Sequence, residues 1–203
     1  IDKDPNAVCA PIDTKSTDEV SAAEGMPASS VSEVYAQSIS DLEKALDLIP
    51  ETYIRNSKHK IDNQVVLGLL SRACLYARQW EKAKNYSDQL LAKNNYLMSE
   101  SEYKEGFSNA ENKEWIWGHP QTNDQNNASY QFYYLDTTTP GSYYYSFNVD
   151  PYFRDLFEDG DYRKEMIYWA TDPGADVESA AYVWMRNAKF KFRDIQTLLP
   201  ISY

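Results

Sequence analysis

The sequence predicts a mainly α-helical fold carrying an irregular, aromatic-rich lobe and a few short strands. Three observations lead there. Between Asn63 and Asn94, apolar residues recur at the helical period on both sides of a short break. Tyr35 to Pro50 repeats the later half of that pattern. From His119 to Asn148 the helical period disappears, and tyrosine, asparagine and glutamine take over.

Residues 1–30 are polar and turn-prone, with Pro5, Pro11, Gly25, Pro27 and the run Thr14 to Asp18, and read as extended chain and loop. Ser30 or Ser32 is placed to cap the helix that follows, with Glu33 complementing its dipole. That helix carries Tyr35, Ser38, Leu42, Ala45 and Leu46 and should stop at Pro50. A connector from Glu51 to Lys60 holds Arg55, Lys58, His59 and Lys60, a basic cluster expected to be a solvated loop. Next comes a hairpin. Val66, Leu67, Leu70, Ala73, Cys74 and Ala77 form the apolar stripe of its first helix. The turn falls at Ala77-Arg78-Gln79, and Trp80, Ala83, Tyr86, Ser87, Leu90 and Leu91 form the second stripe. Ser71 and Ala83 are small where the helices should cross, Cys74 should be a buried thiol, and Trp80 should serve packing. These offsets are those of a tetratricopeptide hairpin, and the upstream helix matches the second helix of the same repeat. Its first helix is not found in residues 1–30. An incomplete solenoid is expected, since a repeat cannot bury its apolar face alone.

After Asn94-Asn95, Tyr96 to Met98 should fold back over the hairpin, and Glu102 to Phe107 should add one helical turn. Asn112 to Trp117 alternates like a short strand, which would put Trp115 and Trp117 on one packing face. The excursion from His119 to Asn148 has a Pro140-Gly141 turn and too many aromatic residues for a disordered segment. Asp150 should cap a short helix over Pro151 to Phe157, and Asp159 to Arg163 should turn the chain. Strands are expected at Ile167 to Ala170, Tyr182 to Met185 and Lys189 to Phe192. The apolar end at Ile201 to Tyr203 and the missing first helix lead us to expect absent residues at both ends. The expected divisions are 1–30 as extended segment, 31–98 as tetratricopeptide-like helices, and 99–203 as the irregular lobe, one compact unit with the helices.

Composition narrows the function. The net charge is −11, from 20 basic and 31 acidic residues, which disfavours nucleic acid and anionic lipid surfaces. No run of eighteen apolar residues occurs, so no membrane-spanning helix is expected. The 17 tyrosines and 5 tryptophans exceed ordinary core needs and point to a surface for flat, partly polar ligands. Two cysteines, Cys9 and Cys74, do not make a disulfide scaffold. Enzymatic readings find little support. The two histidines sit in no triad or metal spacing, and the seven glycines form no phosphate loop. Asp155, Glu158, Asp159 and Asp161 are near enough in sequence to supply a glycosidase pair, but an acidic helix end on a solvated surface explains them better. No cofactor is expected. Calcium would find oxygen ligands at Asn123 to Asn126 or at Asp159 and Asp161, though neither has EF-hand spacing.

Taken in order, several segments resemble the SusD/RagB family of outer-membrane nutrient-binding lipoproteins of Bacteroidota. SVSEVYAQSISDLEKALDLIP is similar to the family's helix with its "evY..i..DL..A...lP" pattern. The hairpin from Val65 to Leu91 followed by Tyr96-Leu97, the segment NKEWIWGHP, the Asp159 to Arg163 turn and Ala188-Lys189-Phe190 are similar to later family segments. The resemblance covers Val31 to Phe192. The family's lipidated cysteine, its first helices and its last helices have no counterpart here, and Cys9 is not assigned as the lipid site.

The resemblance implies a non-catalytic, outward-facing, lipid-anchored protein of the outer membrane that captures oligosaccharide for a SusC-type TonB-dependent transporter. Sugar rings stack their C–H faces on tyrosine and tryptophan, and their hydroxyls bond to polar residues at the rim. Tyr130, Tyr133, Tyr143, Tyr144 and Tyr145, with Asn126 and Asn127, are therefore the expected ligand surface, and Trp184, sharing a face with Tyr182, is a further candidate. Neighbours in extended chain point to opposite faces, so Tyr144 cannot face the ligand that Tyr143 and Tyr145 face. The alternative is a tetratricopeptide scaffold that binds a peptide or protein partner in its groove.

Overall fold

The computed structural model describes residues 4–16, 18–120, 122, 124, 149–171, 183–187 and 201–202. The chain divides into two units, Ile1–Asn95 and Tyr96–Tyr203.

In the first unit the polar N-terminal stretch is extended chain laid on the start of a helix. Cys9 N–H donates to the Ser29 carbonyl at 2.9 Å, and Val31 N–H donates to the Ala7 carbonyl at 3.0 Å. Between these strands of contact lies a short helix the sequence reading does not anticipate, α1 (Glu19–Glu24). Helix α2 (Val31–Leu48) begins at Ser30, one of the two expected caps. The Ser30 hydroxyl accepts from Glu33 N–H at 3.3 Å, and the Glu33 carboxylate accepts from Ser30 N–H at 2.8 Å. Such a reciprocal cap stabilises a helix start by about 1 kcal/mol. The helix stops one residue before the Ile49-Pro50 pair, because proline disfavours helical backbone at the residue ahead of it.

Helices α3 (Asn63–Tyr76) and α4 (Trp80–Lys93) form the predicted hairpin with the turn where the sequence places it. Arg78 there takes a left-handed conformation, φ 59°. This lets Gln79 N–H reach back to the Cys74 carbonyl at 2.8 Å, closing the end of α3 as a Schellman turn. Ser71 and Ala83 do meet at the crossing. The Ser71 hydroxyl donates to the Ala83 carbonyl at 3.3 Å and lies 2.6 Å from the Ser87 hydroxyl. The core is Ile39 of α2, Val66, Leu70 and Cys74 of α3, and Ala83 of α4, with Leu42, Leu46 and Tyr86 packed against it. Burial pushes the Cys74 thiol up in pKa, as expected for an inert core cysteine. Tyr86 also donates to Glu43 of α2 at 2.7 Å, beside the Lys82–Glu43 ion pair at 2.9 Å.

Two expectations for this unit fail. Arg55 is not part of a solvated cluster: its Nε donates to Asp62 at 3.0 Å, with both side chains 12% exposed. The other Asp62 oxygen caps α3 by accepting from Val65 N–H at 3.0 Å. A carboxylate that must be buried to cap a helix needs a cation beside it, and the connector supplies one. Trp80 is exposed rather than packed, because the hairpin core begins one turn further along α4, at Ala83.

The second unit opens with α5 (Glu100–Lys104), capped by Ser99 with Glu102 completing the capping box. Residues 112–117 are not a strand. Asn112 accepts from Glu114 N–H through its side chain at 2.9 Å and from Trp115 N–H through its carbonyl at 3.1 Å, which curls the chain into a turn. Trp115 and Trp117 are thereby separated: Trp115 is 8% exposed, packed near Ala110 and Phe107, while Trp117 is 46% exposed. A two-residue strand β1 (His119–Pro120) pairs antiparallel with β4 (Ile201–Ser202). Then come α6 (Pro151–Asp155), α7 (Tyr162–Glu165), and an antiparallel ribbon of β2 (Ile167–Thr171) with β3 (Val183–Asn187). The strand expected at Lys189 to Phe192 lies outside the described residues. Mainly helical, with tetratricopeptide-like hairpins and small ribbons, the architecture is the one predicted.

Candidate functional site

In the second unit, the stretch from Val149 to Ile167 builds a ring-lined hollow. Asp150 starts α6 by accepting from Tyr152 N–H at 2.8 Å, and Pro151 at the first helical position needs no donor there. Phe153 and Phe157, four residues apart, meet edge to face with centroids 5.3 Å apart. The chain then reverses at Gly160, whose φ of 90° suits a residue without Cβ. Asp161 caps α7, accepting from Arg163 N–H at 2.9 Å. The Arg163 side chain folds back so that Nε donates to both Asp161 oxygens at 2.9 and 3.0 Å while the guanidinium lies 5.1 Å from the Phe157 centroid. Tyr103 of α5 adds a further ring, 5.2 Å from Tyr162 and 5.2 Å from Phe107.

Two concavities share Phe153, Phe157 and Arg163. One is an open hollow of about 940 Å³ bounded by Leu156, Tyr162 and the acidic turn Glu158 to Asp161. The other is a tighter recess of about 220 Å³ backed by Tyr103, Val149, Met166 and Ile167. Val149, where the described chain resumes after the tyrosine-rich excursion, stands in the wall of that recess.

Asp161 and Asp159 are each held ionised by a neighbouring cation. The Arg163 side chain holds the Asp161 carboxyl below the usual carboxylate range, and Lys164, 2.9 Å from Asp159, does the same there. A glycosidase acid needs the opposite shift, so these two carboxylates do not supply one. Burial pushes the Tyr103 phenol up in pKa, opposed by the Arg163 cation. Among the described residues no group of three histidine, cysteine or acidic side chains is placed to hold a metal ion. The hollow offers ring faces for C–H contact, and a guanidinium edge and carboxylates for hydroxyls.

Of the residues singled out from the sequence, Asn126, Asn127, Tyr130, Tyr133, Tyr143, Tyr144 and Tyr145 lie outside the described residues. Trp184 is in β3, opposite Ala170 of β2. Phe153, Phe157, Tyr103 and Arg163 escaped that selection. The i, i+4 spacing of the two phenylalanines on a capped helix and the Asp-Tyr-Arg triplet were the signals available. Nothing local foretold that α5 would bring Tyr103 to them.

No protein-family model matches the chain, and no curated protein matches it. Solved structures do. The crystal structure of a SusD-like carbohydrate binding protein from Bacteroides vulgatus is 81% identical over 98% of this chain, with a TM-score of 0.91. A SusD superfamily protein from the same species matches 98% of the chain at 19% identity and a TM-score of 0.71. One from Bacteroides thetaiotaomicron matches 96% at 20% identity and a TM-score of 0.71. The two distant matches speak for the fold alone. The chain spans less than half of each of these proteins: 42%, 44% and 44% of their lengths.

Proposed function

We propose that this chain, which is SusD-like, is part of an outer-membrane protein that captures oligosaccharide at the cell surface without covalent chemistry. In this reading the whole protein is lipid-anchored, faces outward and passes its ligand to a SusC-type TonB-dependent transporter. The observation that carries it is the 81% identity, over nearly the whole chain, to a protein described as a SusD-like carbohydrate binding protein. The hollow at α6 and α7 has the physical character such a role needs, with Phe153 and Phe157 as ring faces beside Arg163 and the acidic turn. Tyr130, Tyr133, Tyr143, Tyr144 and Tyr145, with Asn126, Asn127 and Trp184, are proposed as ligand-binding residues on sequence grounds. A second reading, a tetratricopeptide scaffold for a peptide partner, draws on the exposed Leu75, Tyr76 and Trp80 at the end of the hairpin.

Isothermal titration against a panel of oligosaccharides tests the proposal, using the wild type, Phe153→Ala, and the Tyr143→Ala, Tyr145→Ala double variant. Loss of one stacked ring should weaken binding on the order of tenfold, about 1.4 kcal/mol. Binding that neither variant alters removes the site assignment. Absence of saccharide binding, with capture of a peptide at the hairpin, removes the function.

A further inference from the structure

The stretch that forms the hollow carries six carboxylates and three cations between Val149 and Ile167. Each of the three cations is already engaged. Arg154 Nε donates to the Ile167 carbonyl at 2.8 Å. Arg163 is held by Asp161 through both carboxylate oxygens and rests on the Phe157 ring. Lys164 pairs with Asp159 at 2.9 Å. On the acidic side, Asp155 and Glu158 are exposed and have no cation partner among the described residues. Glu158 and Asp159 stand on the rim itself. A carboxylate arriving with the ligand would therefore meet unpaired negative charge, and the guanidinium fork that would clamp it is already filled by Asp161. A net charge of −11 over the whole chain adds repulsion at longer range.

Resting on the saccharide-binding reading above, we infer that the α6–α7 hollow selects uncharged glycans and rejects uronate-bearing ones. Ring stacking on Phe153 and Phe157 is indifferent to this distinction, since neutral and acidic sugars offer the same C–H faces. Discrimination comes from the rim. With Asp159 and Asp161 paired, Glu158 is the rim's unpaired charge among the described residues. One unit charge about 6 Å from a ligand carboxylate, at an effective dielectric of about 40, weakens its binding about tenfold. Salt screens this rejection, because the rim is solvated and the Debye length is about 8 Å at physiological ionic strength.

The test is a glycan array carrying neutral and uronate families, followed by titration of matched pairs. Each pair is an oligogalacturonate with its carboxyl-reduced form, or a xylo-oligosaccharide with and without a glucuronate branch. The expected result is signal among neutral members, a preference of about tenfold or more for the neutral member of a pair, and a preference that shrinks as salt is raised. The Glu158→Gln, Asp159→Asn double variant should cut that preference several-fold. Equal or tighter binding of uronates overturns the inference and leaves the saccharide reading standing, as does a preference that the double variant does not change. Silence across the whole array overturns the saccharide reading itself.

Discussion

Leu70→Ala is the most direct test of the hairpin, because Leu70 is 0% exposed at the centre of α3, facing Ile39 of α2 and Ala83 of α4. The substitution removes three carbons. At about 0.8 kcal/mol for each buried CH₂, lost transfer energy alone is about 2.4 kcal/mol. The space left behind adds a cavity cost, so the loss should reach about 3–4 kcal/mol. Leu75→Ala, in the same helix and removing the same atoms, is the control: Leu75 is 52% exposed, and its loss should stay near 0.5 kcal/mol. Urea unfolding followed by far-UV circular dichroism reads both values, with each transition fitted separately where more than one is seen. The m-value should not change, so the midpoint carries the effect. Equal, small losses for the two variants would refute the packing of α2, α3 and α4 described above.

Two further predictions concern pH. Burial, with the hydrogen bond to Glu43 adding to it, pushes the Tyr86 phenol from 10.0 up to about 12, so the fold favours its neutral form. That contribution is complete below pH 10 and is lost as pH rises toward 12. Tyr86→Phe should flatten the fall in stability across that window, measured by thermal melts at stepped pH. Asp161 shifts the other way. The Arg163 side chain holds it below the ordinary range, so its contribution is present above about pH 4 and is lost as pH falls through its folded pKa. In Arg163→Ala, carboxyl resonances followed by NMR should show the Asp161 midpoint rising toward about 3.9. An unmoved midpoint would mean that the cap of α7 alone holds the carboxylate down.

Where neighbours in the chain decide structure, the residues already contain the answer. The Ser30 and Glu33 cap, the stop before Pro50, the tight turn at Arg78 and the small residues Ser71 and Ala83 are all local or hairpin-range features. Short-range hydrogen bonding and a single helical period determine them, so the tetratricopeptide-like hairpin was readable in advance. Trp115 and Trp117 show where that logic stops. Their alternation suits a strand, but the Asn112 side chain satisfies the backbone of Glu114 locally and turns the chain instead. Arg55 shows the same limit over a longer span, since only folding reveals that the α3 cap needs a buried cation. The open hollow is built by one short stretch, Phe153 to Arg163, while the recess behind it belongs to tertiary structure: Tyr103 lines it and reaches Tyr162 across a long separation in sequence. Composition could show a surplus of aromatic rings and a deficit of free positive charge. Which cations are already engaged is settled by short-range pairs such as Arg163–Asp161 and Lys164–Asp159, whereas Tyr103 joins the other rings only once distant segments have been brought into one place.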